Sequence, residues 1–345
     1  MNKKTHLILT ILPLLYALIG CNSLSKGQNK LSNSEAQCNL SNRNVDAKKT
    51  FTLCKKLAEQ GGGDAQYSLG QMYRYGKGVK KDLTQAFQWY QKAAEQGNAY
   101  VQFILGRMYE FGTGVEKDLM QAFQWYQKSA KQGDIFGQLA LGTIYRKGKG
   151  VEKNLIQAYQ WYQKAAEQGD YSAQGMLGRM SEFGIGVDKN LTLAFQWYQK
   201  AAEQGSANGQ FALGRMYEFG KGVDKDLIQA FQCYQKAAEQ GNARGQFKLG
   251  RMYKLGTGVE KDSIQASQWS EKVAEQEGVD AQMELGFMYE LGEGVDKDLT
   301  QAFQWYKKAA VQGSARGLTA LGRMYELGYG VEKDLTGFSV ISKGN

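Results

Sequence analysis

Residues 100–133 read YVQFILGRMYEFGTGVEKDLMQAFQWYQKSAKQG and contain two short helical patterns separated by glycines. In the first pattern, apolar residues recur every three or four positions until Gly112 ends it. The second pattern begins after Asp118 and places Ala122 and Trp125 on one apolar stripe. Because an apolar stripe must be buried against another element, the stretch predicts a hairpin of two α-helices.

The same pattern recurs every 36 residues over most of the chain. Tryptophan is its clearest marker, and Cys233 fills the one vacancy in the series: Trp89, Trp125, Trp161, Trp197, Trp269 and Trp305. Self-similarity at this period is typical of a solenoid, in which each hairpin is stabilised by stacking on the next. The composition agrees, since 43 Gly and one Pro leave long stretches free to form helices, and 12% aromatic residues exclude a disordered chain.

Residues suited to helix ends stand at the expected places in each unit. Acceptors for a helix N-terminus are Asp82, Asp118, Asn154, Asn190, Asp226, Asp262, Asp298 and Asp334. A glutamine follows three residues later in most units, as in a capping box. Glycines suited to close the second helix are Gly97, Gly133, Gly169, Gly205, Gly241 and Gly313.

A glycine also recurs inside the first helix of every unit: Gly70, Gly106, Gly142, Gly178, Gly214, Gly250, Gly286 and Gly322. A glycine inside a helix costs about 1 kcal/mol relative to alanine. We expect close packing against a bulky Trp or Tyr to offset that cost.

These motifs, Leu-Gly-x-x-Tyr, Gly-x-Gly-Val, Asp, Ala-x-x-Trp and Ala-Ala-x-x-Gly, resemble the Sel-one-like repeat family, a branch of the tetratricopeptide superfamily. The resemblance spans Asp46 to Leu335, about eight units. It implies an all-α fold, a right-handed α/α superhelix (solenoid) of about eight 36-residue hairpins that mediates protein–protein interaction. It also implies that the first helices line the concave surface.

The two ends of the array, which we assign to residues 46–345, depart from the pattern. Residues 47–60 match a second helix poorly, with Leu53 at the Trp position and Cys54 at the Tyr position, and are predicted to cap the array. After Thr336 the pattern fails, so the last unit is truncated. An uncovered last core face predicts fraying or end-to-end self-association.

The first 20 residues are predicted to be a signal peptide. Lys3 and Lys4 precede an apolar run of about 13 residues that ends in Leu-Ile-Gly-Cys21 and is too short to span a bilayer. This ending resembles a bacterial lipobox, which implies lipidation of Cys21. Residues 21–45 then read as a flexible tether. Asn22 favours the outer membrane, while periplasmic and surface exposure both remain open.

Removal of the signal would also remove His6, the single histidine, and with it most triads and zinc sites. Gly-x-Gly loops such as Gly76-Lys77-Gly78 recur in every unit and are interpreted as turns rather than phosphate cradles. Carboxylates recur likewise, whereas an active site would break the symmetry once. We expect no catalytic residues, no metal and no cofactor.

Three cysteines follow Cys21. Cys38 and Cys54 could form a disulfide in an oxidising compartment, but their distance cannot be judged from the sequence. Cys233 replaces a core Trp and is predicted to be a buried, inert thiol.

The best functional signal is a set of first-helix positions that differ between units. It mixes aromatic and basic residues, which are enriched at binding hot spots. The candidate partner-binding residues are Tyr100, Arg107, Phe136, Arg179, Arg215, Arg244, Lys248 and Arg251. Of these, Arg244, Lys248 and Arg251 form the least neutralised cluster. Alternatively these positions are solvated, with Arg107, Arg215 and Arg323 paired to a glutamate one turn on.

The leading hypothesis is an envelope-anchored scaffold that binds a partner protein in the concave groove. An inhibitor or immunity protein against a toxin or envelope enzyme is the alternative, followed by a cell-wall-active enzyme or a host-facing virulence factor. The net charge of +9 would suit an acidic partner or lipid headgroups, but export argues against nucleic acid.

Overall fold

The computed structural model describes Cys38 and residues 46–276 and 278–334. Within these residues it contains sixteen α-helices and no strand, in two compact units that are divided between Gln168 and Gly169. The first unit contains α1 (Ala47–Glu59), α2 (Gly63–Tyr75), α3 (Leu83–Glu95), α4 (Ala99–Phe111), α5 (Leu119–Lys131), α6 (Ile135–Lys147) and α7 (Leu155–Glu167).

The second unit contains α8 (Tyr171–Phe183), α9 (Leu191–Glu203), α10 (Ala207–Phe219), α11 (Leu227–Glu239), α12 (Ala243–Leu255), α13 (Ser263–Glu275), α14 (Val279–Leu291), α15 (Leu299–Val311) and α16 (Ala315–Leu327). Helices α2 to α15 form seven hairpins, each of an even-numbered first helix and an odd-numbered second helix. Helix α16 begins an eighth hairpin. The predicted all-α repeat fold is confirmed.

The predicted caps start the second helices. Asp118 Oδ1 accepts from the N–H groups of Met120 and Gln121 at 2.9 and 3.0 Å. The Asp118 N–H donates to Tyr109 O at 3.0 Å, so a backbone carbonyl takes the place of the glutamine side chain expected in a capping box. The side-chain cap recurs at Asp82, Asn154, Asn190, Asp226, Asp262 and Asp298.

The Gly-x-Gly turn inside each hairpin has a packing role. Gly112 ends α4 with φ +67°, a left-handed conformation that favours glycine. A Cβ atom on Gly114 would lie 2.0 Å from the Leu83 carbonyl oxygen of the preceding hairpin. Only glycine permits this approach, so the interpretation of these loops as turns is confirmed.

The glycine inside most first helices makes room for a tyrosine of the following helix. A Cβ atom on Gly106 would lie 2.7 Å from Tyr126 Cδ1, and Tyr126 is fully buried. The expectation of a bulky neighbour is confirmed. The same relation holds for Gly70, Gly142, Gly178, Gly214 and Gly286 with Tyr90, Tyr162, Tyr198, Tyr234 and Tyr306.

Buried glutamines connect successive helices. Gln102 Nε2 donates to Ala94 O of the preceding helix at 3.1 Å, and Gln102 Oε1 accepts from Gln132 Nε2, at the end of α5, at 2.7 Å. The amide nitrogen and the amide oxygen of Gln102 thus each have a partner, which offsets the cost of removing them from water. The Gln–Gln bond recurs at Gln66, Gln138, Gln174, Gln210, Gln246 and Gln282.

Helix α1 packs against α2, the first helix of the first hairpin. Cys54 of α1 is bonded to Cys38 in a disulfide with Cα atoms 5.3 Å apart. Both sulfurs lie in a cluster with Leu69 and Met72 of α2, so the bridge is part of the core.

Several sequence-based predictions fall outside the described residues. These are the signal peptide, the lipidation of Cys21, the tether apart from Cys38, and the pattern failure after Thr336. Among the helices that the structure describes, none has the length and apolar character needed to cross a membrane.

Candidate functional site

In the first unit, a cluster of aromatic rings joins the first helices α2, α4 and α6. The Tyr100 ring lies 6.2 Å from that of Tyr67 and 5.9 Å from that of Phe136, between ring centroids. Phe103 stacks on Phe136 at 5.4 Å. The structure therefore brings together two predicted site residues, Tyr100 and Phe136. Both are half-buried, so they link hairpins and remain partly exposed.

The predicted site residue Arg107 lies beside this cluster. Its guanidinium carbon is 5.6 Å from the Phe111 ring centroid and 6.0 Å from that of Phe103. Cation–π contacts at exposed sites contribute about 0.5–1 kcal/mol. Arg107 and Tyr100 also line a small cavity of about 80 Å³.

A glutamate of the first helix connects a tyrosine to a cation of the next hairpin. In the first unit, Glu110 accepts from Tyr126 Oη at 2.8 Å and from Lys149 Nζ at 3.2 Å. The alternative in which Arg107 pairs with Glu110 is therefore wrong.

The second unit repeats this arrangement with Glu182, whose side chain is only 3% exposed. It accepts from Tyr198 Oη at 3.0 Å and from Arg215 at 3.1 Å, and Lys221 Nζ lies at 3.6 Å. A buried carboxylate without a partner destabilises a protein strongly. Arg215, a predicted binding residue, thus neutralises a carboxylate of the preceding hairpin.

Lys248 has the same role one hairpin later. Its Nζ lies 2.8 Å from Glu218 Oε1, and Tyr234 Oη also donates to Glu218. Arg323 pairs with Glu290 at 2.6 Å in the same way. The pairing of Arg215 and Arg323 one turn along their own helix is therefore wrong. So is the prediction that Lys248 lacks an acidic neighbour, because its partner is 30 residues away in the sequence.

The tyrosines that donate to the first-helix glutamates keep their hydroxyl protons at neutral pH. Burial, followed by the charge of Glu182 and the hydrogen bond to it, raises the pKa of Tyr198 above its ordinary value. Burial and Glu290 raise the pKa of Tyr306 for the same reasons. A phenol that cannot ionise beside a carboxylate holds that carboxylate in place.

Arg179, Arg244 and Arg251 differ from Arg215 and Lys248. All three are exposed, and no carboxylate among the described residues lies within ion-pair distance of them. The predicted set thus divides into ring-cluster residues of the first unit, two inter-hairpin cations, and three arginines free to meet a partner.

Sequence reasoning missed an open cavity of about 510 Å³ in the second unit. It lies along α12 and α14, with one residue each from α15 and α16 in its wall. The signal was present in the sequence, because Ser270 stands where the other hairpins have tyrosine.

The described residues hold no cluster of three or more His, Cys, Asp or Glu side chains that could bind a metal. Cys233 is buried, as predicted, and burial raises the pKa of its thiol to about 11. Since the thiolate is the nucleophile, this thiol is unreactive at neutral pH.

A family model describes the repeating unit. The Sel1 repeat matches residues 63–98, 99–134, 135–170, 172–206, 207–242, 243–277, 279–314 and 315–336, in register with the hairpins. The chain belongs to the Sel1 repeat family. The resemblance stated from the sequence motifs is therefore confirmed.

Solved structures of Sel1 repeat proteins are similar to this chain. The Sel1 repeat protein from Oxalobacter formigenes is 34% identical over 84% of this chain and 85% of its own, with a TM-score of 0.71. The protein c5321, a protective antigen present in uropathogenic Escherichia coli strains, is 37% identical over 84% of this chain and 70% of its own, with a TM-score of 0.65. No curated protein matches the sequence. The Sel1 repeat fold is typical of protein–protein interaction scaffolds.

Proposed function

We propose that the chain is an envelope-anchored scaffold that binds a partner protein through the exposed side of its first helices. We call this side the first-helix face. One observation carries the proposal: the last residue of most first helices is a large apolar side chain that stays exposed. These residues are Tyr75, Phe111, Phe183, Phe219, Leu255, Leu291 and Leu327.

The free arginines lie on the same helices. Arg179 is one turn before Phe183, and Arg251 is one turn before Leu255. Aromatic residues and arginine are the types that contribute most to binding energy at protein interfaces. A polypeptide with apolar and acidic side chains would fit this face.

Pull-down from envelope extracts tests the proposal. The test variant is Arg179→Glu with Arg244→Glu, which reverses two exposed arginines without touching an ion pair. The control is Lys225→Glu with Lys236→Glu, an equal charge change on exposed residues outside the first helices. We expect the test variant to lose proteins that the wild type and the control retain.

Equal capture by both variants, at equal thermal stability, would count against the first-helix face. Capture of a toxin by the wild type would identify the chain as the inhibitor or immunity protein of the alternative hypothesis.

The anchor is the second part of the proposal. The apolar run, its length and Cys21 support lipidation. We expect metabolic labelling with a fatty acid in the wild type and none in Cys21→Ala. Recovery of Cys21→Ala in the membrane fraction at the wild-type level would contradict the anchor.

Display outside the cell is a further candidate, favoured by the similarity to c5321, which is described as a protective antigen. Protease treatment of intact cells distinguishes the two sides of the membrane. Loss of the chain without lysis would place it on the surface, and full protection would place it inside.

A further inference from the structure

The sixth hairpin, α12 and α13, lacks the tyrosine that fills the corresponding space in the fifth. In the fifth hairpin, the Tyr234 ring lies 5.7 Å from the ring of Phe211, and its hydroxyl donates to Glu218. Lys248 Nζ lies 5.9 Å from the same ring. These three residues therefore surround the tyrosine.

The residues 36 positions later are Phe247, Lys254 and Glu284, and all three line the open cavity of about 510 Å³. The tyrosine itself is replaced by Ser270. Gly250 is still present, although the nearest atoms to a Cβ built on it, such as Ser270 Oγ, lie at 3.4–3.6 Å. The wall of the cavity thus contains the three residues that are equivalent to the neighbours of Tyr234 in the fifth hairpin.

The walls of the cavity suit an aromatic group. Phe247, Met283, Phe287 and Tyr306 supply apolar surface, and Phe287 is 44% exposed. Aromatic pairs contribute about 0.5–1.5 kcal/mol beyond the area that they bury. A second ring would therefore gain contacts that no other side chain supplies here.

The charges around the cavity favour an acid. Lys254 Nζ pairs with Glu284 at 3.1 Å, so these two charges compensate each other. Arg251 and Arg316 remain, and both are exposed and without an ion pair among the described residues. Asp280 is the one further carboxylate in the wall, which leaves an excess of positive charge.

We propose that this cavity receives an aromatic side chain of the partner polypeptide, with a neighbouring carboxylate that pairs with Arg251 and Arg316. The proposal rests on the proposed function and specifies the chemistry of the bound segment. The ring takes the place of the missing tyrosine between Phe247 and Phe287.

Peptide titration of the purified full chain tests it. The probe is N-acetyl-Gly-Glu-Phe-Glu-Gly-amide, compared with peptides in which Phe is replaced by Ala or both Glu by Gln. The ¹³C-methyl NMR signal of Met283 reports on the cavity, and that of the buried Met216 serves as an internal control. We expect saturable shifts at Met283, and roughly tenfold weaker binding of either altered peptide, because one buried ring or one charge pair contributes on this scale.

Two variants of α13 distinguish the effect of filling the cavity on probe binding from the effect of a general change in stability. Ser270→Tyr fills the cavity and should lower binding of the probe by roughly tenfold or more. Ser267→Phe restores the other missing aromatic residue of α13, at the position of Phe303, which packs on Tyr325 away from the cavity. It should leave probe binding unchanged.

Equal binding of the probe by wild type and folded Ser270→Tyr would overturn the proposal. If Ser270→Tyr does not fold, Arg251→Gln with Arg316→Gln decides instead, since loss of both arginines should abolish the preference for Glu over Gln peptides. A preference that persists, or no binding of the probe by the wild type, also overturns it. Partner capture that survives Ser270→Tyr but is lost in Arg179→Glu with Arg244→Glu would refute the cavity and leave the proposed function standing.

Discussion

The sixth and seventh hairpins have helices of the same length but differ in the side chains that pack between them. Helices α13 and α15 are both 13 residues long and begin after a capping aspartate, Asp262 or Asp298. Helix α15 carries Phe303 and Tyr306 in the core, where α13 carries two serines. The helix bounds follow from caps and glycine turns, whereas the aromatic residues decide only how the space between helices is filled.

The ion pairs of the two hairpins differ as well. Glu290 of the seventh accepts from Tyr306 and from Arg323. In the sixth, Lys254 stands at the glutamate position and pairs with Glu284, so the ion pair is reversed, and Ser270 replaces the α13 tyrosine. Among the seven complete hairpins, the sixth is the one in which a residue other than tyrosine, Ser270, stands at this position.

Tyr306→Ser tests this comparison most directly, because it gives the seventh hairpin the serine that the sixth has at the equivalent position. Removal of this buried ring leaves a cavity against Gly286, so we expect a loss of about 3–5 kcal/mol in the free energy of unfolding. Urea unfolding followed by circular dichroism measures it. A loss below about 1 kcal/mol would mean that the hairpin closes around the gap, contrary to the open cavity of the sixth.

Alanine at the helix glycine should have opposite effects in the two hairpins. A Cβ on Gly286 would lie 2.6 Å from Tyr306 Cε1, so Gly286→Ala should destabilise by about 1–3 kcal/mol. A Cβ on Gly250 would lie 3.4 Å from Trp269 Cβ, an ordinary contact, so Gly250→Ala should stabilise by up to about 1 kcal/mol. Thermal melts of both variants suffice, and effects of the same sign would contradict the packing relation.

Alkaline pH should affect the seventh hairpin through Tyr306, for which the sixth has no counterpart. Burial and Glu290 raise the pKa of Tyr306, so the unfolded chain releases this proton first as the pH rises through 10. This contribution to the free energy of unfolding is fully present below pH 10 and decreases progressively as the pH rises above it. Relative to Tyr306→Phe, the wild type should lose on the order of 1 kcal/mol between pH 9 and 11. Parallel curves of unfolding free energy against pH for the wild type and Tyr306→Phe would show that the hydroxyl is not shielded in the folded state.

The smallest effect concerns a contact that both hairpins share. Lys308 Nζ lies 3.6 Å from the Trp305 ring centroid, and Lys272 Nζ lies 4.0 Å from that of Trp269. Lys308→Met and Lys272→Met should each cost about 0.5–1 kcal/mol in denaturant titrations. Lys236→Met is the control, because Cys233 replaces the tryptophan in the fifth hairpin. An equal cost for Lys236→Met would assign the effect to charge rather than to the ring.

The sequence predicted the hairpins and their boundaries because those depend on nearby residues. Asp118 caps the helix that follows it, and Gly112 ends the helix before it, so both effects act within one turn. The aromatic and basic character of the first helices could also be read locally. The partner of Lys248 could not, since Glu218 lies in another hairpin and a one-turn rule finds only neighbours on the same helix.

What the sequence determined by itself is the repeat, its period, its helix ends and the column of tyrosines that Ser270 interrupts. The tertiary structure decided which charges are free and where space remains. Arg215 and Lys248 are held by glutamates of the preceding hairpin, while Arg251 lies beside the cavity left at Ser270. The physical reason is that capping acts over a few bonds, whereas neutralisation and cavity formation depend on distances between hairpins that only stacking sets.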